Sequence, residues 1–68
     1  MGLTVELEQE VGGRWLAEVP ELSGVLAYGQ SRQEAITRVE ALALRVIADR
    51  LDHGETIPVL GHVFSIVA

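Results

Sequence analysis

Nothing between Ser31 and Gly54 interrupts a helix: the run holds neither proline nor glycine. Its start reads Ser31-Arg32-Gln33-Glu34, a capping box in which the Ser31 oxygen accepts from the Glu34 N–H. The Glu34 carboxylate is expected to reach back to the Ser31 N–H. Gly54 stands where a glycine in the left-handed conformation closes a helix. At 100° per residue, Ala35, Ile36, Val39, Leu42, Ala43, Val46 and Ile47 fall on one broad face, which must lie on something apolar. In a chain of 68 residues, a helix from 32 to about 53 leaves the remainder to build the sheet that covers it.

The other side of this helix is not uniformly polar. Glu34, Arg38, Arg45, Asp49 and Asp52 form a charged stripe, with Glu34 and Arg38, and Arg45 and Asp49, spaced to pair at i,i+4. Beside that stripe, Leu44, Ala48 and Leu51 make a second apolar strip off the main face. One layer of sheet cannot cover both.

Leu3, Val5 and Leu7 alternate with Thr4, Glu6 and Glu8, the period of a half-exposed strand. Gly12-Gly13 supplies a turn, and Trp15, Ala17 and Val19 alternate with Leu16 and Glu18 as its hairpin partner. Pro20, without an N–H, ends the ladder, and "PELSG" connects to a third strand over 25–30. After Ile57-Pro58 and a turn at Gly61, "HVFSIVA" (62–68) reads as a last strand, with Phe64 and Ile66 on one face and Val63 and Val67 on the other. A strand apolar on both faces is buried twice or paired with another chain. The order is β-β-β-α-β: a single α+β domain, 1–68, with one long helix on a mainly antiparallel sheet. A right-handed crossover would lay the last strand parallel to the first.

Small domains usually supplement their core with a disulfide, a metal or a partner chain. There is no cysteine and there are two histidines, too little for a disulfide or a well-made metal site. Association remains, and 49% hydrophobic residues with a mean hydropathy of +0.30 agree with it. Leu44, Ala48, Leu51, Phe64 and Ile66 are the candidate interface of a dimer or higher oligomer.

Ten acidic and five basic residues give a net charge of −5, the wrong sign for a phosphate-binding surface. Such a balance suits a basic protein partner or serves solubility alone. The N-terminus leads directly into the strand pattern, without a signal peptide. No apolar run reaches membrane-spanning length, so the expected location is cytoplasmic.

The stretch "GGRWLAEVPELSGVLAYGQSRQEA", 12–35, resembles the core of the HicB-like antitoxins. Their pattern runs G-G-x-aromatic-x-A-x-x-P-D/E-L-x-G, then a glycine, then S/T-x-x-E-A opening a helix. It falls here on Gly12, Gly13, Trp15, Ala17, Pro20, Glu21, Leu22, Gly24, Gly29, Ser31, Glu34 and Ala35. With the helix and "GETIPVL", the similarity covers most of the chain. The resemblance implies a truncated ribonuclease-H-like domain that binds and occludes a HicA-type toxin, a small basic ribonuclease with a double-stranded-RNA-binding fold. Family members often carry a C-terminal DNA-binding domain; this sequence ends at Ala68 without one, so no direct DNA binding is expected. Other members are solitary, and a homo-oligomeric domain with an unrelated regulatory role is the alternative. Val25 stands where relatives often have cysteine.

A ribonuclease-H-type site needs carboxylates converging from the first strand, the helix and the next strand onto two divalent cations. Glu6 or Glu8 and Glu34 or Glu40 could supply two of the three positions, but "HVFSIVA" has no acid. His53 suits a helix C-terminus, and His62 opens the last strand. With no nucleophilic triad or phosphate loop either, neither catalysis nor a cofactor is expected. Trp15 reads as an anchor between sheet and helix, or as a recognition residue. Glu18, Glu21 and Leu22 are the candidate partner-binding residues, the carboxylates being either contacts for a cationic protein or plainly solvated.

Overall fold

The computed structural model describes residues 2–57 and 64–67. Three strands, β1 (Glu6–Gln9), β2 (Trp15–Glu18) and β3 (Leu26–Gly29), precede one helix, α1 (Arg32–Asp52). The strands form an antiparallel sheet in the order β1-β2-β3. This is the expected α+β class.

Local chemistry sets the joints. The Gly13 N–H donates to the Glu10 carbonyl at 2.8 Å, and Gly13 takes φ +93°, so the β1–β2 hairpin turns where side chains rarely fit. After β2, residues 19–25 close on themselves. The Val19 N–H donates to Val25 O, Leu22 N–H to Val19 O and Val25 N–H to Leu22 O, all at 3.0–3.1 Å. The loop thereby turns Leu22 inward, only 2% exposed.

The cap of α1 follows expectation with one correction. Ser31 accepts from the Glu34 N–H at 3.0 Å, but the Glu34 carboxylate accepts from Gln30 N–H at 2.9 Å, not from Ser31. Glu34 thereby ties the helix start to the residue that follows β3. At the other end His53 is the C-cap, and Gly54 has φ +77°.

The core joins Ala17, Val19, Leu22 and Val25 of the sheet layer to Ala35, Val39, Ala43 and Ile47 of α1. Trp15, Leu42 and Val46 pack around it, which supports the anchoring role of Trp15. Gly29 is where sheet and helix come closest: a Cβ there would overlap the backbone nitrogen of Ala35. The helix therefore lies over β3 and β2 and touches only the margin of β1.

The fourth strand differs from expectation. Residues 64–67 lie outside any strand, with Phe64 65%, Ile66 88% and Val67 93% exposed. They do not pair with β1 of their own chain. Apolar alternation specifies that a segment needs cover, not which molecule supplies it, and four residues of parallel pairing hold weakly. The expected turn at Pro58 and Gly61, His62, Val63 and Ala68 lie outside the described residues.

Candidate protein-binding face

The face of the sheet turned away from α1 follows from strand alternation and register. Glu6 stands opposite Glu18, Glu8 opposite Leu16, Leu16 opposite Tyr28, and Glu18 opposite Leu26. Directly opposed residues share a face, so Glu6, Glu8, Leu16, Glu18, Leu26 and Tyr28 form one surface. Leu7, Ala17 and Ala27 point to the helix side. Around Glu6, Glu8, Leu16 and Glu18 lies a shallow depression of about 110 Å³.

This face is polarised. Three carboxylates gather over β1 and β2, and Glu6 against Glu18 is a like-charge pair that costs folding energy. Over β3 lie Leu26 and Tyr28, both exposed, and the Arg14 guanidinium sits 3.9 Å from the Tyr28 ring centroid. Arg14 also pairs with Glu10 at 2.8 Å across the hairpin. That cation is thus held at one end, and among the described residues no ion pair involves Glu6, Glu8 or Glu18.

Of the residues expected to bind a partner, Glu18 lies on this face and is exposed. Leu22 is corrected: it fills the core inside its loop and is not available at the surface. Glu21 is exposed but engaged. Its carboxylate accepts from the Thr4 hydroxyl at 2.6 Å and the Thr4 N–H at 3.0 Å, fastening the β2–β3 loop to the segment before β1. These bonds, the hydroxyl first, hold the Glu21 carboxyl below its ordinary 4.5. A depressed folded value contributes stability above the unfolded value and loses it as pH falls through the folded one. Thr4→Val should therefore be less stable than wild type at neutral pH, with the gap narrowing in acid. Thermal unfolding across pH checks this, and a gap independent of pH would show that the carboxylate is not what Thr4 holds.

The surfaces expected to meet another chain are open. Leu44 is 66% and Leu51 46% exposed, Ala48 is exposed, and Phe64 and Ile66 stand clear of the core. Arg45 and Asp49 do not pair; Asp49 lies 3.7 Å from the His53 ring instead. Glu34 and Arg38 do pair, at 3.3 Å, and Arg38 also donates to the Tyr28 carbonyl at 3.1 Å. The Glu34–Arg38 ion pair is solvated and worth little alone.

The carboxylates considered for metal binding do not converge. Glu6 and Glu8 lie on the outer face of the sheet, while Glu34 and Glu40 belong to the helix on its inner side. Among the described residues no group of three His, Cys, Asp or Glu could hold an ion, and no helix is long and apolar enough to cross a membrane.

Glu6, Glu8, Leu16, Leu26 and Tyr28 were not singled out from the sequence as partner-binding residues. The signal was the alternation itself, which puts Glu6 and Glu8 on the polar side of the first strand. In comparisons with protein-family models, curated proteins and solved structures, no match to this chain was found.

Proposed function

We propose that this protein is an acidic protein-binding module of the HicB-like antitoxin type, which takes a small basic ribonuclease against the outer face of its sheet. The observation that carries this reading is the cluster of Glu6, Glu8 and Glu18, with Glu6 and Glu18 directly opposed. A protein that keeps like charges in register forgoes stability at that spot, and a cationic partner turns the cost into attraction. Leu16, Leu26 and Tyr28 beside them supply apolar contact area. We read the β-β-β-α unit as a truncated ribonuclease-H-like domain, on the element order and the helix crossing one face of the sheet. The role is binding rather than catalysis, because the candidate acids sit on opposite sides of the sheet. Such a pair works in the cytoplasm, where its RNA targets are.

The test is co-expression with the small basic protein, of double-stranded-RNA-binding pattern, encoded beside this gene. That protein alone should arrest growth, this chain should restore it, and the double variant Glu6→Arg, Glu18→Arg should not. The free double variant should still melt cooperatively, since both positions are exposed. Absence of such a neighbour, or rescue undiminished by charge reversal, would sink the reading. The alternative, a solitary homo-oligomeric domain, is favoured by the bare strip of Leu44, Ala48 and Leu51.

A further inference from the structure

The flank of α1 beside β1 is unfinished. Leu3, Val5, Val19, Ala43 and Leu44 line a groove of about 190 Å³, with Glu40 at its margin. Leu3 and Val5 lead directly into β1, whose outer edge has no neighbour among the described strands. Leu44, Ala48 and Leu51 continue along the same flank at helical spacing. Because the helix is centred over β3 and β2, this flank overhangs sheet that is one strand too narrow.

The chain also carries an apolar segment without a place. Phe64, Ile66 and Val67 surround the single polar Ser65, and all four are exposed and outside regular structure. The segment has no charge, so it could approach Glu40 and the apolar walls without burying an ion against like charge. It does not occupy the groove of its own chain, although Ile57, shortly before it, packs against that chain's core.

We propose that residues 64–67 of a second copy of this chain fill the groove, adding a strand to the β1 edge beneath Leu44, with the exchange made reciprocally. Edge addition satisfies the open N–H and C=O groups of β1, and reciprocity gives a closed two-fold dimer. Leu44, Phe64 and Ile66 then belong to one interface, not two. This dimer is independent of the cationic partner, because the groove and the carboxylate face lie on opposite sides of the sheet.

The absence of native cysteine allows a direct test with the full chain. Two variants, Leu44→Cys and Ile66→Cys, are mixed under mild oxidation and their disulfides identified by mass. Both positions are exposed, so neither substitution empties the core. The expected product is predominantly a heterodisulfide joining the two variants, with wild type dimeric by light scattering. Leu44→Glu should weaken dimerisation roughly tenfold or more while circular dichroism retains the helix. A monomeric wild type would overturn the proposal. So would a doubly substituted chain that closes only its own disulfide, or a dimer whose dominant link joins Leu44→Cys to itself. None of these outcomes depends on a toxin, so failure here is distinguishable from failure of the antitoxin reading.

Discussion

Gly29→Ala is expected to abolish cooperative folding. A Cβ at this position would overlap the Ala35 backbone nitrogen and lie 2.9 Å from both the Ala35 Cα and the Glu34 carbonyl carbon. All three are backbone atoms in the first turn of α1, so no rotamer change relieves the clash. The turn itself is pinned by the Ser31 cap and by the bond from Gln30 to Glu34. Overpacking that side chains can absorb costs about 1–3 kcal/mol; here the helix must lift from β3 and expose Ala35 and Val39. A domain of this size holds only about 3–10 kcal/mol in total. Circular dichroism should show most of the helix signal lost and no sharp thermal transition. Gly12→Ala is the control, since nothing lies within 4 Å of a Cβ there, and it should melt close to wild type. A Gly29→Ala protein melting like the control would show that sheet and helix are not in such contact.

Val39→Asp and Leu44→Glu should fail in different ways. Val39 is 0% exposed and belongs to the apolar core cluster. A carboxylate there has no partner, and such burial costs several kcal/mol, enough to unfold the chain. Leu44 lies on the same helix but points into solvent beside the groove. A charge at that position costs the single chain almost nothing and should act on assembly alone. Thermal melting combined with light scattering separates the two: no transition for Val39→Asp, a monomer with near-normal melting for Leu44→Glu. Unfolding by both would mean that the strip along Leu44 belongs to the core of one chain. Glu18→Ala should leave assembly unchanged, because Glu18 lies on the opposite side of the sheet.

What could be read from the sequence was what short-range chemistry decides. Ser31, Glu34 and Gly54 bound α1 within a residue because caps act over a single turn. The hairpin at Gly12-Gly13 and the stop at Pro20 are equally local. Three features were illegible because they depend on which distant atoms come together. Thr4 and Glu21 are seventeen residues apart, and no periodicity announces their bond. Leu22 sits in a polar connection, and only closure of the loop through Val19 and Val25 shows that it points inward. The segment at 64–67 carries the pattern of a strand, yet pattern alone names no partner. The acidic face was half legible: alternation placed Glu6 and Glu8 on one side of a strand, but register was needed to set Glu6 against Glu18.

The off-centre position of α1 should grade the sheet in its resistance to opening. The β3 amides that bond to β2 lie beneath the helix and should exchange with deuterated solvent only when the whole domain unfolds. Those of β1, which the helix barely covers, should be released by fraying that leaves the rest intact. The most labile border of the molecule would then be the one that a neighbouring chain could clamp shut.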